Sequence, residues 1–349
     1  ISSMHNLAYR NFLDYLGYGE REVEIERYRH RSAVLHDDIL AKYRVDTQQI
    51  VPPRPKLVWS EDERKQYYRD EWGITWQLDK EGGLYFELAR PVVDEMPDIN
   101  ALSSVTWPDY RSPARTEGMR ERFDHIVSQG RVPIADLPLG LELFDLGFNL
   151  CGFTNYYMLL ALDEEAAGFI MDRQLEAQSD WWNQVFSALP ELEYVRIGDD
   201  LGSQTSMLIS PEMYRSLVKP RHRKLVEAIK KASGGRANII LHCDGAVEPI
   251  IPDFIEIGVD CLNPVQYTLP GLEPAELKAK YGSELTFWGG GIDTQSILPH
   301  ASVQEVRDEV RRQIEVLAPG GYLFIGHAES AAGLDLPLSP VGNTAFQRV

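Results

Sequence analysis

The sequence contains few cysteines and no long hydrophobic run. Its 349 residues include only 3 cysteines, Cys151, Cys243 and Cys261, which are too few and too scattered for a disulfide framework. No segment reaches the roughly 18 consecutive apolar residues of a transmembrane helix, and the opening residues lack the pattern of a secretory signal. These absences predict buried thiols, no membrane span and a cytoplasmic location.

Positive charge is also scarce. The chain has 35 Lys and Arg residues against 53 Asp and Glu residues, a formal net charge of −18. An excess of acidic groups cannot neutralise phosphates, which argues against nucleic-acid partners and against anionic membrane surfaces. A hydrophobic fraction of 44% and a charged fraction of 25% are typical of a globular protein.

The N-terminal third is predicted to be an extension of helices and a hairpin, over about 4–110. Helical spacing of apolar residues predicts helices over 6–16 and 23–43, and a short strand is expected over 44–51. Between 70 and 90, two alternating segments flank a Gly-Gly turn, which predicts a β-hairpin insertion.

Farther along the chain, short apolar strands alternate with helices, as in a parallel sheet buried on both faces. Together with the earlier strand candidates, the number of predicted strands approaches eight. This number predicts an α/β fold of the (β/α)8 TIM-barrel type. The alternative, an open doubly wound sheet, would be expected to carry a Gly-rich fingerprint that the sequence lacks. We expect one domain over 1–349, with its barrel core over about 130–327 and an irregular tail over 328–349. The later strands are predicted at 132–135, 194–197, 237–241, 259–262, 285–288 and 322–325, and the helices at 162–189, 210–232, 247–257, 273–281 and 303–317.

Polar residues or glycines follow each of the later strands. The carboxyl ends of parallel barrel strands share one face, where active sites lie. Any one of these residues could simply cap the next helix, but five such positions in succession indicate a cleft. The candidates are Asp199 and Asp200, His242 and Asp244, Asn263 and Gln266, Asp293, and His327.

His242 and Asp244 are spaced to share a ligand. In an extended segment the first and third side chains lie on the same side, and His327 could add a second imidazole. Such a set suits Zn²⁺ or Fe²⁺ with open positions. Hydrogen-bonded histidines in a polar cleft are the alternative, and Cys243 is expected to point away.

The two consecutive aspartates have two readings. Asp199 and Asp200 could act as a general base or orient a substrate if burial shifts a pKa, or they could cap a helix and pair with Arg196 or Arg215. Asp293 either caps a helix or lines a pocket beside three glycines.

A set of motifs resembles the uroporphyrinogen decarboxylase superfamily, over roughly residues 130 to 327. The resemblance implies a (β/α)8 barrel that forms a homodimer, and it includes two branches of different activity. The motifs are DDLGSQ at 199–204, LHCDG at 241–245, IPDFIEIGVDCLNPVQ at 251–266 and WGGGIDTQ at 288–295.

In one branch, metal-free decarboxylases bind an octacarboxylate tetrapyrrole through an N-terminal arginine signature and use a histidine after the last strand. His327 matches that histidine, but the arginine signature has no counterpart here, and Phe148 stands where the decarboxylases have a tyrosine. In the other branch, cobalamin-dependent methyltransferases hold Zn²⁺ through His-x-Cys and a later Cys. Here Asp244 and His327 replace both sulfur ligands, which favours an oxygen substrate such as a methoxy compound.

The resemblance therefore implies metal-assisted methyl transfer to or from a small thiol or oxygen substrate, with a corrinoid carried by a partner protein. The alternatives are decarboxylation of a porphyrinogen or a smaller carboxylate, and non-catalytic binding of a tetrapyrrole or corrinoid. The predicted ligands of zinc or another divalent metal are His242, Asp244 and His327; the predicted catalytic residues are Asp199, Asp200 and His327; and the predicted substrate contacts are Gln204, Asn263, Gln266, Asp293 and Phe148.

Overall fold

A computed structural model describes residues 4–93, 95–138, 140, 142–316, 322–324, 338–340 and 345–348. The strands of this part of the chain are β1 Ile25–Arg27, β2 Ser32–Ala33, β3 Thr47–Ile50, β4 Val58–Glu61, β5 Lys65–Arg69, β6 Thr75–Asp79, β7 Glu87–Arg90, β8 Val132–Ala135, β9 Tyr194–Gly198, β10 Asn238–His242, β11 Cys261–Asn263, β12 Thr286–Phe287, β13 Tyr322–Phe324, β14 Leu338–Pro340 and β15 Ala345–Arg348. The helices are α1 Asn6–Tyr15, α2 Asp37–Lys42, α3 Ile99–Ser103, α4 Met119–Ser128, α5 Leu146–Cys151, α6 Phe153–Leu162, α7 Glu164–Ala188, α8 Pro211–Met213, α9 Lys219–Ala232, α10 Ile251–Ile257, α11 Pro274–Tyr281, α12 Ile297–His300 and α13 Val303–Val316.

Two compact units make up the chain, and each draws on separated stretches of sequence. The predicted organisation as one domain stays a prediction. The first unit comprises Ile1–Ile39, Val51–Arg120 and Leu137–Ala188, and the second comprises Leu40–Ile50, Glu121–Asp136 and Leu189–Val349.

The second unit contains a parallel sheet of six strands in the order β12-β11-β10-β9-β8-β3. Each strand therefore lies beside its nearest sheet neighbour along the chain. A doubly wound sheet reverses this order at a switch point, whereas a (β/α)8 barrel winds in one direction. The α/β class is confirmed, and the winding is that of a barrel.

The buried strands were predictable because their apolar runs are short and continuous. In β10, Ile239, Ile240 and Leu241 are all buried, as expected for a parallel strand covered on both faces. The observed bounds of β8, β9 and α7 lie within two residues of those predicted. The register of β10 aligns His242 with Gly198 of β9 and with Asn263 of β11.

The last predicted strand is present but belongs to another sheet. β13 pairs antiparallel with β15, which also pairs with β14. The tail that we expected to be irregular thus contributes two strands. Alternation or apolar character predicts that a segment is extended, but it does not specify the partner strand.

The first unit differs from the sequence prediction at two places. The prediction of a helix over 23–43 is wrong for most of this segment, which forms β1, β2 and only the short helix α2. The predicted hairpin exists as β6 and β7, but it forms half of a four-stranded antiparallel sheet with β4 and β5. Charged residues at helical spacing, which also occur in exposed short strands, misled the first prediction.

No helix of the described residues is both long enough and apolar enough to cross a membrane. The three cysteines are buried and form no disulfide. Burial raises the pKa of the Cys151 and Cys261 thiols to about 12, which keeps both protonated at neutral pH.

We expect Ile239→Ala to lower the free energy of unfolding by about 3 kcal/mol, because it removes a fully buried side chain from the centre of the sheet. Urea denaturation measures this loss. Val132→Ala, at a position of the same sheet that is 40% exposed, should cost less than half as much. Equal losses would contradict the assignment of β10 to the core.

Candidate metal centre

Three potential ligands lie together where β9 and β10 end. The ligand atoms of Asp200, His242 and Asp244 are all within 4.8 Å of one another, and each residue is partly exposed. The His242 Nε2 atom lies 3.7 Å from Asp244 Oδ2. The structure thus brings the two residues of the His-x-Asp motif together, and it adds Asp200, which the sequence had suggested as a base, a substrate-orienting residue or a helix cap.

A hydrogen-bonded amide orients the His242 ring. The Asn263 Nδ2 group donates to the Trp288 carbonyl at 3.0 Å, which turns Asn263 Oδ1 toward His242 Nδ1, also at 3.0 Å. Since an amide oxygen only accepts, the neutral ring carries its proton on Nδ1. The Nε2 lone pair then faces the carboxylates, as in metal-binding histidines held by a second hydrogen bond.

The pKa values of Asp244 and Asp200 are shifted in opposite directions. When it carries a proton on Nε2 as well, the His242 ring holds the pKa of Asp244 below its usual range, although burial acts against this. Burial raises the pKa of Asp200, with the Asp244 backbone N–H opposing part of the rise. Two carboxylates and an imidazole lone pair in one partly buried cluster repel one another unless a cation or protons lie among them. The donor set therefore fits a divalent metal.

Backbone contacts fix the loops that carry these ligands. Asp200 Oδ1 accepts the Asp244 N–H at 3.0 Å, and the Gly202 N–H donates to the Asp244 carbonyl at 3.1 Å. Gln266 Oε1 accepts the Gly245 N–H at 2.6 Å. A Cβ on Gly245, where φ is +92°, would lie 2.2 Å from the Gly202 carbonyl carbon, so only glycine permits this approach.

Asp199 faces the opposite way from Asp200. Its carboxylate is 2.7 Å from His222 Nε2, and His222 Nδ1 is 3.2 Å from the Tyr214 hydroxyl. Asp199 and His222 are each 2% exposed, and Tyr214 is fully buried. Side chains alternate along an extended segment, so consecutive aspartates cannot both reach the same cleft. The structure does not bring Asp199 into the ligand cluster.

Sequence reasoning missed a buried ion pair near the cluster. Asp136, which directly follows β8, is fully buried and lies 3.0 Å from Arg196 of β9. Arg196 is among the groups that lower the pKa of Asp244. The rule applied to the later strands, a polar residue directly after a strand, would have found Asp136. Arg215, the other expected partner of the paired aspartates, instead binds Asp253.

None of the described residues among the other predicted contacts is one of the three clustered ligands. Gln204 Oε1 accepts from the Gln295 side chain at 2.9 Å, on exposed loops of the second unit. Asp293 accepts two backbone N–H groups before α12, including that of Gln295, which is the cap alternative. Phe148 lies on α5 of the first unit, and His327 lies outside the described residues.

Comparison with known proteins identifies the family. The family model for uroporphyrinogen decarboxylase (URO-D) matches residues 144–328, more than half of the chain. The chain belongs to the URO-D family. The TIM-barrel fold of this family agrees with the single winding direction of the parallel sheet.

Two similar proteins come from Methanosarcina mazei. A methylated-thiol–coenzyme M methyltransferase is 25% identical over 230 residues, which cover 62% of this chain and 55% of that protein. The chain thus spans about half the length of this curated relative. A solved methyltransferase structure has a TM-score of 0.53 and 16% identity, over 70% of this chain and 67% of the other, and it shows the fold alone.

We expect Gly245→Ala to lower the free energy of unfolding by about 3 kcal/mol or more, since it combines a positive φ with a backbone clash. Gly235→Ala is the matched control, because φ there is +81° but nothing lies within 4 Å of the added Cβ. It should cost only about 1 kcal/mol. Chemical denaturation compares the two, and similar losses would show that the loops do not need the close approach.

We expect His222→Phe to destabilise the protein by about 3 kcal/mol, because it leaves the buried carboxylate of Asp199 without its imidazole partner. His222→Gln, which keeps a donor, should lose less. His300→Phe, at an exposed position, serves as the control. Thermal and urea unfolding measure the stabilities of the three variants. A Gln variant as unstable as the Phe variant would refute the role of the hydrogen bond.

Proposed function

We propose that this protein catalyses metal-assisted, corrinoid-dependent methyl transfer to or from a small thiol or oxygen compound, with the corrinoid on a partner protein. The observation that carries the proposal is the Asp200, His242 and Asp244 cluster, whose ring orientation and charges call for a cation. Similarity to a methylated-thiol–coenzyme M methyltransferase supports the class of reaction.

The donor set favours a hard or borderline divalent ion. One imidazole nitrogen and two carboxylates suit Zn²⁺, Mn²⁺ or Fe²⁺, and three protein ligands leave positions open for a substrate. The thiol of Cys243 is buried and lies outside this cluster. The second imidazole that the sequence suggested, His327, stays a prediction.

When bound, such a metal supplies Lewis acidity toward the sulfur or oxygen of the substrate. The protein's own residues prepare the site for this. Asn263 holds the His242 ring with its Nε2 atom toward the carboxylates. Asp200 and Asp244 would supply carboxylate oxygens within reach of the same ion.

The remaining contacts keep the carboxyl groups in place. The hydrogen bond from the Asp244 N–H to Asp200 couples the two loops, so the two carboxyl groups keep a fixed spacing. Gln266 holds the same turn through the Gly245 N–H. These fixed distances reduce the reorganisation needed when a substrate arrives.

We expect about one zinc or other divalent ion per chain in protein purified without chelators, and its loss in His242→Ala and Asp244→Ala. Elemental analysis and zinc titration of chelator-treated protein measure this. Asp308→Asn, which removes an exposed carboxylate far along the chain, is the charge-matched control. Full metal content in the His242 and Asp244 variants would show that these residues are not the ligands.

The reaction itself is tested with free cob(I)alamin and a methyl thioether or methyl ether: the methyl group passes to cobalt, a thiolate or alkoxide leaves, and visible absorbance follows the formation of methylcobalamin. Activity should depend on added metal and disappear in His242→Ala. Release of CO₂ from a carboxylated substrate by metal-free protein would instead favour the decarboxylase alternative.

A further inference from the structure

A small cavity opens within the first unit, and none of its lining residues belongs to the metal-ligand cluster. It is partly open to solvent, its enclosed space is about 80 Å³, and its walls are mostly apolar. Pro52 and Pro53 follow β3, and Tyr68, Trp72 and Trp76 come from the antiparallel sheet and its turn. Flat, rigid walls of this kind suit a flat ligand.

Two of the three carboxylates in the lining are already used by the protein, and the third, Glu26, also has a partner. Asp70 accepts the Trp76 Nε1–H at 2.8 Å and the Trp72 backbone N–H at 2.9 Å. Glu71 binds Arg115 at 2.6 Å and the Tyr110 hydroxyl at 2.9 Å. Each of these groups is held inside a network, so neither offers a free negative charge to a cationic ligand.

One arginine in the lining is different. The Arg29 guanidinium carbon lies 4.3 Å from the centroid of the Trp76 ring, a cation–π contact that fixes the side chain in place. Throughout the part of the chain that the structure describes, Arg29 forms no ion pair with a carboxylate. Arg54, also in the lining, is by contrast paired with Glu24. Arg29 therefore presents an uncompensated, partly buried fork of N–H donors beside apolar walls.

We propose that this cavity binds a small planar carboxylate, with its flat body between the aromatic and proline walls and its carboxylate paired with Arg29. Guanidinium groups bind carboxylates through two parallel hydrogen bonds, and stacking on Trp76 orders Arg29 before the ligand arrives. A cationic ligand is disfavoured, because Arg29 already covers the face of Trp76. The site is independent of the proposed reaction, since it needs neither the metal cluster nor a corrinoid.

Titration of the full chain with sodium benzoate tests the proposal, by calorimetry and by tryptophan fluorescence. We expect saturable binding that is at least about tenfold weaker in Arg29→Gln, the loss of one charged pair. Arg64→Gln, at an exposed position outside the cavity lining, removes the same charge and should bind benzoate like the unmodified protein. Benzamide, which has the shape without the charge, and acetate, which has the charge without the ring, should both bind at least about tenfold more weakly.

Arg29→Lys distinguishes a specific loss of benzoate binding from a general loss of folded structure. It keeps the positive charge but not the planar fork, so benzoate affinity should fall between those of the unmodified protein and Arg29→Gln. Circular dichroism confirms that each variant is folded. The absence of saturable benzoate binding, equal affinity in folded Arg29→Gln, or equal affinity for benzamide would overturn the proposal. Loss of metal binding in the cluster variants would leave benzoate binding unchanged.

Discussion

The close approach of the two loops after β9 and β10 is the constraint on which the candidate site depends. Gly202 and Gly245 touch through their backbones, and the loops exchange hydrogen bonds in both directions along this contact. Because the contact is made of backbone rather than flexible side chains, it sets the separation of Asp200 and Asp244 within narrow limits. The same contact places His242, the last residue of β10, beside both.

Side chains alternate between two faces along β9 and the two residues that follow it, so neighbouring residues make different contacts. Arg196 and Asp200 are two positions of one face, and Asp199 belongs to the other. The Asp199 carboxylate binds His222 of the following helix, which ties the end of the strand to α9. One aspartate thus stabilises the strand end, and its neighbour lies in the cluster of potential metal ligands. A shift of register by a single residue would exchange these two functions.

Much of the second unit could be predicted from the sequence, because short apolar strands and amphipathic helices have distinct periodicities. The His-x-Asp pair followed from the same period-two geometry. The role of Asp200 as a potential ligand could not be predicted in this way, because its position depends on the contact between the loops at Gly202 and Gly245, which are far apart in sequence. The pairing of Asp136 with Arg196 was likewise hidden, since an ion pair between neighbouring strands has no local signature, although the position of Asp136 directly after β8 does mark it as a candidate. The partner of β13 depends on pairing across the sheet, which the period of a segment does not encode.

The unfavourable charges of the cluster would link folding to the metal binding that we propose. In the absence of a cation, folding brings together two carboxylates and an imidazole lone pair that the unfolded chain keeps apart in water. Part of this cost is offset by the Asp244 N–H, by Asn263, and by the nearby Arg196, which itself stays paired with Asp136. If a divalent ion binds the folded state alone, as we propose, it would recover the remainder and stabilise the protein in proportion to the logarithm of its concentration. A rigid backbone frame is what allows this, because flexible loops would separate the carboxylates and lose the site instead of holding it open for the metal.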